Sequence, residues 1–207
     1  MTDDLGEILR RRKPDKRRGQ LRARSASRLP TAVDAPLGRV ALVPDANVYI
    51  ADAAGRLPDS AEALLDRALL FHCSVRLAEL ATGVAAGDPT HPRWRVTRDH
   101  DAEITGAIPE TRVLIPDRGV WLDAGVLAGT LARMQGLQPH QRKEILDDAL
   151  IFLTAARHGL PVLTSNRVAF ALIQQLAPEG AVYHYRPVQR RATPPAPIRR
   201  GRGAPAG

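Results

Sequence analysis

The segment Glu144–Asn166, EILDDALIFLTAARHGLPVLTSN, decides how the whole chain is read. Ile145, Leu146, Ala149, Leu150, Ile151, Phe152, Leu153, Ala155 and Ala156 leave almost no polar face, so the spacing predicts a helix packed on all sides by protein. That helix runs within a few residues into LPVLTS, a short β-like run. Asp147 and Asp148 stand side by side in the same helix, where a carboxylate is costly unless something compensates it.

Outward from this segment the alternation continues. RVALVPD (39–45) reads as a strand, SAEALLDRALLF (60–71) as a helix capped by Ser60, and HCSVRLAELATGVAAG (72–87) as a short extended lead into a helix that stops at Gly87. The second half of HPRWRVTRDHDAEITGAIP reads as helix, TRVLIP (111–116) as strand, and GVWLDAGVLAGTLARMQG as helix up to Gly136. Beyond Asn166 follow a helix in VAFALIQQLA and a last strand, AVYHY (181–185). Strands separated by helices imply an α/β fold with a mostly parallel central sheet flanked by helices.

The 207 residues suffice for one domain with a real core and some extra length. A single cysteine, Cys73, excludes a disulfide framework and a thiolate metal cage, so a cytoplasmic setting is the working assignment. No apolar run is long enough to span a bilayer, and MTDDLGEILRRRK lacks the apolar centre of a secretory signal. The net charge of +8 is unevenly spread: residues 1–30 hold ten Arg/Lys against four Asp/Glu, and residues 186–207 hold six Arg and no acid. The stretch 31–185 is left with 14 basic and 18 acidic residues. The expected organisation is a basic, disordered N-terminal tail (1–38), a globular domain (39–186) and a disordered Pro/Gly/Arg-rich C-terminal tail (187–207). Such tails serve either as solubilising ends or as sequence-independent holds on a polyanion such as RNA, which an acidic globule attracts poorly.

Active sites of parallel sheets lie at the carboxyl ends of strands. Two such ends carry candidates, Asp45 after RVALVP and Asn166 after PVLT, while Glu79 and Asp148 lie in helices. Carboxylates that meet in a fold repel unless a cation sits among them. An oxygen-only set without His or Cys suits Mg²⁺ or Mn²⁺. Each residue also has an ordinary explanation. Asp45 and Asn47 are turn formers, Glu79 can pair with Arg76 one turn earlier, and Asp147 and Asp148 favour the positive end of their helix dipole. Glu144 and Asp148 argue against the last of these, being like charges at i and i+4, unfavourable by roughly a few tenths of a kcal/mol.

Taken together, VPDANVYI, then SVRLAEL about 30 residues on, then DDALIFLTAARHGLPVLTSN, occur in an order and spacing that resembles the PIN-domain nucleases, in particular the VapC-type toxins of bacterial toxin–antitoxin pairs. The likeness spans roughly residues 40–185. It implies a single PIN-like domain and a metal-dependent endoribonuclease that hydrolyses tRNA or rRNA, leaving a 3′-hydroxyl and a 5′-phosphate. The resemblance carries the catalytic and metal-binding roles onto Asp45, Glu79 and Asp148, with Mg²⁺ or Mn²⁺ as the cofactor. Asp148 is preferred to Asp147 because the family's carboxylate directly precedes the A-L-I run. Asn47 matches a small polar residue that orients the first Asp, and Asp147, Thr164, Ser165 and Asn166 are auxiliary. Arg167 is a candidate phosphate contact. The implied partners are an RNA substrate, a cognate antitoxin protein and a second copy in a homodimer.

The chain departs from the family pattern at two points. Ala169 stands where a further acid would precede Phe170, which leaves Asn166 to offer a neutral oxygen. Pro44 lacks a backbone donor just before Asp45, which costs a ladder bond or marks the end of pairing. The first departure supports an alternative, a catalytically weakened PIN-fold module that binds RNA or protein. Histidine acid–base cleavage has six scattered histidines and no pairing to support it. A phosphatase with Asp45 as nucleophile would need an acid where Asn47 stands. Finally, Ala124, Ala128 and Ala132 with Gly125 and Gly129 make a small-residue row that suits close approach of another helix, in the same core or across a dimer.

Overall fold

A computed structural model describes residues 4–189. In chain order the elements are α1 (Leu5–Arg12), β1 (Val40–Pro44), α2 (Ala46–Ala53), α3 (Asp59–Arg67), β2 (Ala68–Leu70), β3 (His72–Cys73), α4 (Ser74–Ala86), α5 (Trp94–Gly106), β4 (Val113–Leu114), α6 (Arg118–Gln135), α7 (Pro139–Arg157), β5 (Val162–Thr164), α8 (Arg167–Leu176) and β6 (Val182–His184). Four strands form a parallel sheet in the order β2-β1-β5-β6, and β3 pairs in parallel with β4. β2 and β3 are successive parts of one extended run, so the pair β3–β4 carries on where β2 leaves β1.

Neighbouring residues of the central strands point to opposite faces, and both faces are covered. Val43, Val162 and Val182 join one buried cluster with Leu127 and Leu131 of α6, Leu150 and Phe152 of α7, and Phe170 and Ile173 of α8. Leu42 and Leu163 join a second cluster with Val48 of α2, Leu57, and Ala61 and Leu64 of α3. The sheet is therefore the middle of three layers, as expected for an α/β chain with apolar runs in its strands. Ala124 and Ala128 are buried in the first cluster with α7, so the small-residue row serves the chain's own core there.

The N-terminal expectation does not hold over the described residues. Asp4 caps α1 through a reciprocal pair of bonds with Glu7, and Ile8 is fully buried. Arg12 spans both oxygens of Asp123 on α6, with Nε and Nη2 each 2.7 Å away, and also meets Glu179. Farther on, Leu29, Ala32 and Ala35 are buried, and the His184 N–H donates to the Pro30 carbonyl at 2.8 Å. The stretch is a strap fastened by a buried ion pair, because Asp123 sits inside the fold and needs a cation. At the other end, Val188 N–H donates to the Arg56 carbonyl at 2.9 Å, while 190–207 of the expected C-terminal tail lie outside the described residues.

Two local expectations are also corrected. The helix read over 60–71 ends at Arg67, and Ala68–Leu70 pair with Val40–Leu42 as β2; strand pairing overrides the helix propensity of Ala and Leu. The cap is Pro58 rather than Ser60, since Pro58 stands with extended backbone before Asp59. Helix α2, directly after Asp45, has no counterpart in the sequence reading.

Candidate functional site

β1 delivers Asp45 to the carboxyl edge of the sheet. The Asp45 N–H donates to the Leu163 carbonyl at 2.9 Å, so pairing with β5 continues past Pro44. The missing donor of Pro44 faces the other side, where the pairing of β1 with β2 has already ended at Leu42–Leu70. Asp45 then caps α2. Its Oδ1 accepts from the Ala46 N–H at 2.9 Å, and its Oδ2 accepts from the Thr164 hydroxyl at 2.6 Å and from Asn47 Nδ2 at 3.0 Å. The carboxylate is completely buried, and these donors hold it in one orientation.

Asp148 lies on the α7 face that meets the end of β5 and is buried as well. Asn166 Nδ2 donates to its Oδ2 at 3.0 Å, while the Asn166 side-chain oxygen accepts from the Ala169 N–H at 3.4 Å and caps α8. Only this amide orientation serves both an acceptor and a donor. The neutral oxygen expected of Asn166 is thus already engaged, and the residue acts as a donor that positions Asp148. The Asn166 N–H also donates to Thr164 Oγ1 at 2.9 Å, which links the two carboxylates through Thr164 and Asn166. Burial first, then the nearby Asp45, pushes the Asp148 carboxyl up to about 7, against the pull of Arg76.

The third acid, Glu79, projects from α4 toward the same place, joined there by Arg76 one turn earlier. The Arg76 guanidinium is buried and meets Asp45 Oδ1 and Glu79 Oε2, with Nη2 3.8 Å from Asp148 Oδ1. The three acids read from the sequence therefore converge, gathered around an arginine. The ordinary reading of Arg76 and Glu79 as a surface pair accounts for only one of these contacts. One signal for Arg76 was visible: a cation in the first turn of a helix opposes the dipole and needs anions nearby to hold it. Asp147 is tied instead to Lys143, at 2.9 Å along α7. Ser165 and Arg167 lie half-buried beside Asn166. Sequence reasoning also missed Tyr49 of α2, whose hydroxyl meets Nδ1 of His72. Burial, aided by Arg112, draws His72 down to about 4, so a neutral ring accepts from the phenol.

The donors fit a hard divalent cation by type, being carboxylate oxygens. They fit by charge too, since three acids face one guanidinium. Among the described residues, however, no three Asp, Glu, His or Cys side chains already surround one metal position. Arg76 lies between them.

No protein-family model matches the chain, and no curated protein matches it. Solved structures do. A chain of VapBC-5, a member of the VapBC family of toxin–antitoxin systems from Mycobacterium tuberculosis, matches with 23% identity and a TM-score of 0.50, over 70% of this chain and 99% of that one. A chain of FitAcB from Neisseria gonorrhoeae matches with 21% identity and a TM-score of 0.48, over 69% and 96%. A chain of VapBC2 from Rickettsia felis, bound there to a promoter DNA fragment, matches with 18% identity and a TM-score of 0.47, over 71% and 100%. The VapBC-5 likeness is one of fold.

Proposed function

We propose that the chain is a PIN-like endoribonuclease that acts as the toxin of a toxin–antitoxin pair, hydrolysing phosphodiester bonds of tRNA or rRNA. The observation that carries this reading is the meeting of Asp45, Glu79 and Asp148, from β1, α4 and α7, at the carboxyl edge of a parallel sheet. The order of motifs in the sequence and the fold shared with a VapBC-5 chain support it. Asp45 and Asp148 would hold Mg²⁺ or Mn²⁺, with Glu79 as a further ligand or a hold on water. Such an ion supplies an acidified water and neutralises charge on the phosphate. The chain's own contribution is orientation: Asn47 and Thr164 fix Asp45, and Asn166 fixes Asp148. Arg167, beside Asn166, would be the phosphate contact. The partners in this reading are RNA, an antitoxin protein and a second copy of the chain.

A second reading, a PIN-fold RNA- or protein-binding module with a weakened centre, is favoured by Ala169, which offers only a backbone N–H to the capping Asn166 where the family carries an acid. Cleavage of a mixed tRNA and rRNA pool separates the two. The assay compares Mg²⁺, Mn²⁺, EDTA and the Asp148→Asn variant. The nuclease gives discrete products that disappear with EDTA and with the variant. RNA binding with no cleavage under any condition establishes the module instead.

A further inference from the structure

Arg76 is the only group whose charge offsets the acids of the site among the contacts described there, and its position is the unexpected part of the geometry. One guanidinium meets Asp45 and Glu79, and its Nη2 stands 3.8 Å from Asp148. It therefore lies where a cation shared by these carboxylates would have to lie. The side chain is buried, and its Nε has no partner among the described residues. Burying a guanidinium with one donor unsatisfied is unfavourable on its own, so the carboxylates are what hold it. Its place in the first turn of α4, at the positive end of the helix, also disfavours a cation without those anions.

We infer that Arg76 is a built-in counter-ion, and that a divalent metal enters this site only by displacing its guanidinium from Asp45. The inference rests on the metal-nuclease reading and adds a regulatory step to it. In the resting arrangement the acids are held by the chain's own cation. Metal binding is an exchange of cations, and its apparent affinity is lowered by the fraction of molecules in which Arg76 is seated. A free metal concentration too low to win the exchange leaves the site closed, with the carboxylates kept in place by Asn47, Thr164 and Asn166. Glu79 is the most exposed of the three acids, with 29% of its side chain accessible, and so is the side on which the guanidinium can swing out.

Isothermal titration of Mn²⁺ into the full chain tests the exchange, comparing the wild type, Arg76→Met, Arg76→Lys and Asp148→Asn at neutral pH. Removing a positive charge within a few ångströms of the ion should tighten Mn²⁺ binding by on the order of tenfold or more in Arg76→Met. Arg76→Lys should fall between it and the wild type, and Asp148→Asn should lose binding. Equal affinity in wild type and Arg76→Met, lost in Asp148→Asn, overturns the exchange and leaves the metal reading standing. No binding by any protein overturns both. If Arg76→Met does not fold, the wild type gives a second measurement. Modification of Arg76 by phenylglyoxal, read by peptide mass, should be faster with Mg²⁺ present, and an unchanged or slower rate overturns the exchange.

Discussion

Thr164 is a single hydroxyl between two functions. It donates to Asp45 Oδ2 and accepts from the Asn166 N–H, so it fixes one carboxylate directly and the other through Asn166. Thr164→Val keeps the shape and removes both bonds; groups of this kind are worth about 10–100-fold in metal affinity or activity. Cleavage should fall by that order, with circular dichroism unchanged, and an unaltered rate would show that Asp45 needs no such hold. His184 lies farther back, 2% exposed, with neither ring nitrogen partnered among the described residues. Burial, then Arg167, draws its pKa down to about 4. The unfolded chain takes up this proton near 6.5, before the folded one does. Stability from the neutral ring is therefore complete above about 6.5 and is lost as pH falls toward 4. His184→Leu should flatten the fall of the urea midpoint over that range, leaving the part due to His72, which is drawn down in the same way. Equal slopes in the two proteins would assign the acid sensitivity elsewhere. At this scale the meeting of Asp45, Asn47, Glu79 and Asp148 was legible in the order of motifs that carries the resemblance. Arg76 and the amide orientation of Asn166 were not, because each depends on contacts that only the fold creates.

The elements that were misread share one cause. α1 carries a run of basic residues and reads as solvated tail, yet its Arg12 belongs to an aspartate 111 residues later. Arg12→Met leaves the buried Asp123 with Arg11 alone and should cost about 1.5–3 kcal/mol, whereas the double change with Asp123→Leu should recover most of that. Urea melts of the three variants measure it; additive losses would mean that the pair is not coupled. β2 was read as helix for the same reason, since Ala68–Leu70 are extended only because Val40–Leu42 lie alongside. β5 was legible to within two residues, whereas α7 begins at Pro139, five residues before the Glu144 at which the buried pattern starts, so Asp147 and Asp148 lie in mid-helix and not at its positive end. Gly180 gives a further test in the turn that leads from α8 to β6. A Cβ built there would run into the Phe152 ring, in the middle of the first core cluster. Gly180→Ala should therefore destabilise by about 1–3 kcal/mol, as overpacking does. A thermal melt equal to wild type would show that the ring moves freely.

On the scale of the whole molecule, the proposed RNA substrate would meet a globule whose residues 31–185 carry more acids than bases. Among the described residues no helix is long and apolar enough to cross a membrane. The sequence reading left both ends open between solubilising and holding a polyanion, and part of the N-terminal charge is spent internally: Arg11 and Arg12 are bound to Asp123. Deleting residues 1–30 would also strip Ile8 and Leu29 from the core, so loss of RNA binding after that deletion would report stability as much as charge. The C-terminal stretch gives the cleaner test. Residues 190–207 hold five arginines and no acid, and deleting them removes no contact among the residues described here. Each phosphate neutralised on a single strand contributes about 0.7 to the slope of log affinity against log salt. If all five arginines engage RNA, the truncated chain should bind more weakly, with a slope shallower by roughly three to four. Its urea midpoint should match that of the full chain, which separates charge from folding. Identical slopes for the two chains would mean that RNA is held by the globule alone, and that the arginines serve solubility.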